Sequence, residues 1–165
     1  MMKLFSGMNA KIRFATLSDI DSMVTLSRQK RLTYEKDQPV FWRHAEQAEE
    51  SQTQWFLQLL ERVDHILLIA ECDKKLNGFI IGRIMKAPEV YDPGGLTLMV
   101  DDFCVKNSDL WQTIGYRLLL QLKQVAKQKG AIQVVAVCGN NDAPKVNFLE
   151  KSGLKVASKW FVGNF

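Results

Sequence analysis

The fold is decided by residues 96–130, which read LTLMVDDFCVKNSDLWQTIGYRLLLQLKQVAKQKG. The apolar run from Val100 to Val105 predicts a strand that is buried for most of its length. Residues 107–109 are typical of a turn, and apolar residues then recur at helical spacing until Gly130 ends the helix. The first amides of a helix lack partners within it and attract anions. The stretch therefore predicts a strand–loop–helix unit with a generic anion site.

The composition indicates a globular protein. The chain has 165 residues, of which 47% are hydrophobic and 24% charged, which predicts one domain over residues 11–165 after a flexible leader, residues 1–10. No stretch approaches the roughly 20 apolar residues of a membrane span. The net charge of +4 is spread along the chain, which argues against a nucleic-acid partner. Three cysteines in apolar runs indicate buried thiols and a cytoplasmic location.

The order of predicted elements is β-α-α-β-β-β-α-β-α-β, which gives a mixed α/β fold. Residues 65–85 should form an antiparallel hairpin, whereas the strand–helix–strand unit at 97–138 should be parallel. The nearly all-apolar strand at 131–138 is expected in the middle of the sheet. Asp142 should cap a short helix that ends at Gly153. The remaining predicted elements are a strand at 11–16, helices from about 18 to 34 and from 43 to 63, and a last strand at 154–162.

Three segments give this order a family resemblance: MVDDFCV at 99–105, the glycine-bearing helix after it, and DAPKVNFLEKSGL at 142–154. Together they resemble the Gcn5-related N-acetyltransferase (GNAT) superfamily, along nearly the whole chain. The resemblance implies a central mixed sheet that splays between two strands, with helices on both faces and acetyl-CoA in the V-shaped opening. Here 101–105 and 132–138 would be the splayed pair, and 106–116 would hold the pyrophosphate.

The resemblance also implies a set of residues that bind the acetyl-CoA co-substrate. The family's phosphate loop usually reads Arg/Gln-x-x-Gly-x-Gly/Ala, and here only its final glycine, Gly115, is kept. Thr113 replaces the other glycine, and Trp111 can fill part of the space of the pyrophosphate. The predicted cofactor-binding residues are Phe103, Cys104, Val105, Leu110, Trp111, Gln112, Thr113, Gly115 and Tyr116.

The second family segment usually reads Asn-x-x-Ala-x-x-Phe-Tyr-x-Lys-x-Gly-Phe. Leu149 stands where a tyrosine often protonates the departing CoA thiolate, and leucine cannot donate a proton. The residues at the family's positions are Asp142, Lys145, Phe148, Leu149, Lys151, Gly153 and Leu154.

Asp101 and Asp102 are the candidate catalytic bases. Burying an acidic side chain within an apolar strand costs free energy, unless the side chain lies at a cleft or is paired with a basic group. Because neighbours in a strand point to opposite faces, at most one should face the substrate. The alternative is that one caps a loop and the other pairs with an Arg or Lys. Tyr34 or Tyr91 could act as the acid for the thiolate, and Tyr34 belongs to an aromatic-lined acceptor region spanning residues 28–42.

The resemblance predicts an N-acetyltransferase that moves an acetyl group from acetyl-CoA to an amine of a small molecule or peptide, directly, in a ternary complex. The alternatives are a non-catalytic acyl-CoA-binding or regulatory domain, or an interaction module that binds no CoA. Two histidines and three scattered cysteines lack metal-ligand spacing, so no metal is expected. An open sheet edge beside Trp160 and Phe161 is a candidate homodimer surface.

Overall fold

The computed structural model describes residues 9–165, and its five strands form a single mixed sheet. The strands lie side by side in chain order, and all neighbours are antiparallel except the last two, which are parallel. The predicted hairpin and the parallel unit are both confirmed. Most of the predicted leader lies outside the described residues. The strands are β1 (Lys11–Phe14), β2 (His65–Cys72), β3 (Lys75–Met85), β4 (Leu96–Val105) and β5 (Ala131–Ala136).

Helices cover both faces of the sheet, as predicted. One face packs against α1 and α3 and is called the α1 face; the other packs against α4 and α5 and is called the α4 face. The second predicted helix is shorter than expected: it spans Ala48–Leu60 instead of 43–63, and Arg43, where it was expected to begin, has a non-helical ψ of 115°. The helices are α1 (Ile20–Asp37), α2 (Pro39–Trp42), α3 (Ala48–Leu60), α4 (Tyr116–Gln128) and α5 (Ala143–Lys151).

Each face of the sheet has its own apolar core. On the α4 face, Phe103 and Phe148 are fully buried among leucines of α4. On the α1 face, Met23, Phe56 and Phe79 fill the space beneath α1 and α3. Burying such a side chain stabilises the fold by about 1.5–3 kcal/mol. The two cores hold the sheet rigidly between the helix layers, and this fixes the geometry of β4.

A β-bulge interrupts β4 at Asp101. Gly82 on β3 lies opposite Val100, but the next β3 residue, Ile81, lies opposite Asp102, so Asp101 is an extra residue. A bulge of this kind puts two consecutive side chains on the same side of the strand. Val100 accordingly packs on the α4 face, whereas Asp102, an even number of residues later, contacts the α1 face.

The sheet opens between β4 and β5. Pairing between the two strands ends at Val100 opposite Ala136, although β4 continues to Val105. This point of separation is called the fork, and the space between residues 101–105 and 137–139 is called the β4–β5 gap. The predicted opening is therefore present, but it begins at Ala136 on β5 instead of at residue 132.

The position predicted for β5 is wrong. The strand lies at the edge of the sheet, and Ile132 and Val135 are exposed on its uncovered side. Only its other side contacts the α4-face core, through Val134 and Ala136. An all-apolar run therefore does not show by itself that a strand is covered on both faces.

The last predicted strand is also wrong, because residues 154–162 form no strand. Trp160 is 83% exposed and Phe161 93% exposed. A strand requires a neighbour for its backbone hydrogen bonds, and the described part of the chain supplies none to this segment. The alternation of apolar and polar residues predicted which side chains of 154–162 could share a face. It could not show whether a neighbouring strand would be present to pair with this segment.

Candidate functional site

Asp102 lies buried on the α1 face, where α1 and α3 surround its carboxylate. Its side chain is 5% exposed, Lys30 forms an ion pair with it, and the Ser27 hydroxyl donates to Oδ2 at 2.8 Å. The Gln52 amide donates to the same oxygen at 3.4 Å. Burial opposes ionisation of Asp102, but Lys30 and Ser27 outweigh it and hold the pKa of the carboxyl below its usual range. Asp102 is therefore a fixed anion and a poor proton acceptor.

Asp101 has different surroundings. Its side chain is 31% exposed, and Oδ2 lies 3.9 Å from His65 Nε2. Burial raises the pKa of Asp101, and the nearby charges of His65 and Arg83 only partly oppose this. A carboxylate with a raised pKa is a stronger base than an ordinary one. Of the two aspartates, Asp101 is the one that is accessible and able to exchange a proton.

The expectation that the two aspartates point to opposite faces is wrong. Asp102 contacts α1 through Ser27, and Asp101 lies beside His65. His65 alternates along β2 with Leu67, which packs on the α1 face. The bulge at Asp101 removes the strict alternation on which the expectation rested. Both carboxylates therefore lie on the α1 side of the fork.

His65 is a site residue that the sequence did not reveal. Its Nδ1 lies 2.9 Å from Asp64 Oδ1, and its side chain is largely buried. This contact orients the ring so that Nε2 points toward Asp101. The histidine opens a strand that is distant in sequence from Asp101, so only the sheet register could bring them together.

Tyr34 ties α1 to the loop after β5. Its hydroxyl donates to Asp142 Oδ2 at 2.7 Å and accepts from the Gly139 amide at 3.2 Å. A Cβ on Gly139 would lie 2.9 Å from the tyrosine ring, so glycine permits this close approach. Burial raises the pKa of Tyr34 far above its usual range. The hydroxyl lies across the β4–β5 gap from Asp101, and its role as an acid stays a prediction.

The β4–β5 gap is filled by side chains of the chain itself. The Lys145 ammonium donates to the Phe103 carbonyl at 3.1 Å. Trp111 stacks on Phe148 with ring centroids 5.2 Å apart and meets the Phe103 ring edge-on at 4.9 Å. All four residues are buried. A groove ready to receive a ligand would leave such residues exposed, so this conformation is closed along Phe103.

The predicted phosphate loop is helical. A 3₁₀ turn at Ser108–Leu110 and a π-helical turn at Trp111–Gly115 lead directly into α4. The Leu110 amide donates to the Asn107 carbonyl at 3.0 Å, and the Trp111 amide donates to Ser108. These backbone donors are already engaged within the chain.

Gly115 has a packing explanation. Its φ of −56° is ordinary for a helix, so backbone freedom does not require glycine there. A Cβ at this position would lie 2.8 Å from the Trp111 ring. The retained glycine therefore makes room for Trp111, which packs against Phe103 and Phe148.

The other predicted cofactor-binding residues have different surroundings. Cys104 is buried on the α1 face beside Asp102, and burial raises the pKa of its thiol to about 12. Val105 is partly buried on the α4 face. Among the residues of the helical turns and the start of α4, Leu110 is buried and Thr113 partly buried, whereas the side chains of Gln112 and Tyr116 are exposed.

The predicted acceptor region lies where α1 meets α2. Tyr34 and Trp42 have ring centroids 5.2 Å apart, and Phe41 meets Trp42 edge-on at 4.6 Å. Arg28 pairs with Glu49 on α3 at 2.8 Å, and Arg31 contacts Gln52. The aromatic residues therefore form a cluster, while both arginines hold α1 to α3.

The residues at the opening fit acetyl-CoA only in part. The fork and the edge of β4 are present, but Lys145 already donates to the Phe103 carbonyl on that edge, so a pantetheine arm can pair there only after the lysine has moved. Within residues 9–165, no group of three or more His, Cys, Asp and Glu side chains could hold a metal ion. No helix in the described part of the chain is long and apolar enough to cross a membrane.

Comparison with known proteins gives a family match. Residues 30–154 match the model of the acetyltransferase (GNAT) family. A search of curated protein sequences finds no match.

Solved structures share the fold at low sequence identity. A mutant of the BH1408 protein from Bacillus halodurans superimposes with a TM-score of 0.80 at 17% identity, covering 94% of this chain and 99% of the other. A predicted acetyltransferase with acetyl-CoA from Clostridium acetobutylicum gives 0.71 at 18%, covering 94% and 96%. The aminoglycoside N-acetyltransferase AAC(6')-Iy, in complex with CoA, gives 0.71 at 13%, covering 95% of each chain.

Proposed function

Because the chain belongs to the acetyltransferase (GNAT) family, a family of acetyl-CoA-dependent acyltransferases, we propose that it acetylates the amine of a small molecule or peptide. The proposed transfer is direct, within a ternary complex of protein, acetyl-CoA and amine. Structural neighbours support an amine acceptor, since one is an aminoglycoside acetyltransferase in complex with sisomicin. That ligand belongs to the neighbour, and the acceptor of this chain is defined here only as an amine.

The position of Asp101 carries the proposal. It directly follows Val100, the last β4 residue paired with β5, so its carboxylate lies at the fork where the sheet opens. It is partly exposed, and burial raises its pKa. An amine is nucleophilic only after it loses a proton, and a carboxylate at the fork is placed to accept that proton.

In this proposal acetyl-CoA supplies the acetyl group, and residues of the chain remove the proton from the amine. Asp101 accepts the amine proton directly or through water. His65, oriented by Asp64, places a ring nitrogen 3.9 Å from the Asp101 carboxylate. Asp102 takes no proton, because Lys30 and Ser27 stabilise its charged form. Tyr34 remains the proposed acid for the leaving thiolate, and its hydroxyl must first leave its hydrogen bond to Asp142 to donate there.

The second candidate is a non-catalytic acyl-CoA-binding or regulatory domain. Two observations favour it: the β4–β5 gap is filled by Lys145, and the apolar Leu149 stands where the family often has a tyrosine acid. A domain that had lost efficient chemistry could tolerate both features. It would still respond to acyl-CoA if the gap opened.

A thiol-release screen separates the two candidates. The purified protein is incubated with acetyl-CoA and a panel of aminoglycosides, small amines and short peptides, and free CoA is measured over time. The proposed enzyme releases CoA faster with at least one amine than in its absence, and mass spectrometry finds that amine acetylated. If acetyl-CoA binds but every amine gives only the rate of hydrolysis, the second candidate is correct.

A further inference from the structure

Lys145 is a buried lysine whose side chain lies at the β4–β5 gap. It begins on the first turn of α5, a helix of the α4 face, and only 3% of the residue is exposed. Its ammonium donates to the Phe103 carbonyl at 3.1 Å. Its charge helps to lower the pKa of Asp102, which lies on the α1 face, and Lys30 in turn lowers the pKa of Lys145. The side chain therefore reaches from α5, on the α4 face, to the edge of β4 that borders the opening.

The surroundings of this ammonium are unusual. Within the described residues, no carboxylate lies within ion-pair distance of Lys145, although fully buried lysines are normally paired. The ammonium lies 5.7 Å from the centre of the Phe103 ring and 5.6 Å from that of Trp111. Burial, together with the charge of Lys30, lowers the pKa of Lys145. A carbonyl and two aromatic faces therefore replace the usual counter-ion.

The carbonyl that Lys145 contacts lies on the open edge of β4. Beyond the fork, β5 no longer supplies hydrogen bonds to this edge, and a buried carbonyl without a partner is costly. The ammonium of Lys145 satisfies the Phe103 carbonyl in place of a neighbouring strand. Trp111 and Phe148 pack against the Phe103 ring on the α4 face of the same strand.

We propose that Lys145 determines the affinity of the protein for acyl-CoA, because its ammonium and the pantetheine arm compete for the Phe103 carbonyl and the gap around it. The proposal rests on the proposed function, which places acyl-CoA at this opening. A pantetheine arm is an extended chain with amide groups, and an open strand edge is what pairs with such amides. The Lys145–Phe103 contact and bound acyl-CoA exclude each other, so each binding event includes the cost of displacing the lysine.

Calorimetric titration with acetyl-CoA tests this on the full chain and three variants. Lys145→Ala removes both the hydrogen bond and the volume, and Lys145→Met removes the donor while keeping most of the volume. Lys151→Ala changes an exposed lysine of the same helix and is the matched control. We expect Lys145→Ala to bind at least tenfold more tightly than the unmodified chain, a difference of about 1.4 kcal/mol. Lys145→Met should bind at least threefold more tightly, and Lys151→Ala should match the unmodified chain.

The outcomes separate this inference from the proposed function. If the unmodified chain and both Lys145 variants bind acetyl-CoA equally, Lys145 does not compete, although the proposed function stands. If no protein binds at millimolar acetyl-CoA, the proposed function fails and the inference with it. Thermal unfolding shows whether Lys145→Ala is folded; if it is not, Lys145→Met decides, and an unchanged affinity in that variant overturns the inference.

Discussion

At the scale of single residues, Asp101 and Asp102 are adjacent but chemically distinct. Asp102 is surrounded by donors on α1 and α3 that stabilise its charge. Asp101, the extra residue of the bulge, is partly open to solvent beside His65. Pairing of one of the two with a basic residue was the alternative that the sequence left open beside a catalytic role, and the sequence could not show which aspartate would pair. That choice depends on the bulge, which has no signature in the strand's apolar pattern.

Replacing Asp102 should destabilise the fold. Asp102→Asn leaves Lys30 without its counter-ion, and we expect a loss of about 1–3 kcal/mol in the free energy of unfolding at pH 7. The pKa of Asp102 is lower in the folded state than the value of about 3.9 for an unfolded chain. Its stabilising effect is therefore present above that value and is lost as the pH falls through the folded-state pKa.

Urea unfolding at pH 7 and at pH 3 measures this effect. The difference between Asp102→Asn and the unmodified chain should be smaller at the lower pH. Asp109→Asn, which changes an exposed acid, serves as the control and should stay within about 0.5 kcal/mol. Equal stability of Asp102→Asn and the unmodified chain at pH 7 would show that the ion pair with Lys30 is not stabilising.

At the scale of secondary-structure elements, variants of the turns before α4 can show whether position 115 is glycine for packing or for phosphate binding. In the packing account, Gly115→Ala pushes a methyl group against Trp111 and costs about 1–3 kcal/mol. In a Trp111→Leu background the clash is relieved, and the better helix propensity of alanine makes the same change neutral or stabilising. Thermal unfolding of the two single variants and the double variant gives the coupling between the sites. Additive effects would contradict the packing account.

The elements also show which predictions rest on local chemistry. The α5 helix begins at the predicted cap, where Asp142 accepts the Lys145 amide, and the chain leaves it at Gly153 with φ of +86°. The prediction of a last strand at 154–162 was wrong, because a strand depends on a partner that is distant in sequence. β5 was misplaced for a related reason, since an apolar composition does not specify which side is covered.

At the scale of the whole molecule, the mixed sheet and its opening were predictable once the family resemblance was made. The match to residues 30–154 confirms that resemblance. The position of Lys145 at the opening was not predictable, because it depends on how this long side chain packs in the folded chain. The sequence singled out Trp111 and placed Lys145 at a family position, but only the packing shows that the two meet at Phe103.

A homodimer and a cytoplasmic location stay predictions. The exposed apolar residues of β5 and the segment after α5 keep this edge of the sheet a candidate for association. In a dimer, a second copy could supply the strand partner that residues 154–162 lack within the described residues 9–165. The rings of Trp160 and Phe41 have centroids 6.2 Å apart, so this segment borders the aromatic cluster of α1 and α2.

The pH dependence of amine acetylation tests the central claim most directly. Asp101 is the proposed proton acceptor, and it cannot accept a proton once it is protonated. The rate with the unmodified chain should therefore fall as the pH drops through the raised pKa of this carboxyl. Asp101→Asn should lower kcat/KM by about 100-fold or more and abolish that acid limb, while Asp21→Asn, which changes an exposed acid of α1, keeps it. An Asp101→Asn protein with the rate and pH profile of the unmodified chain would contradict the account.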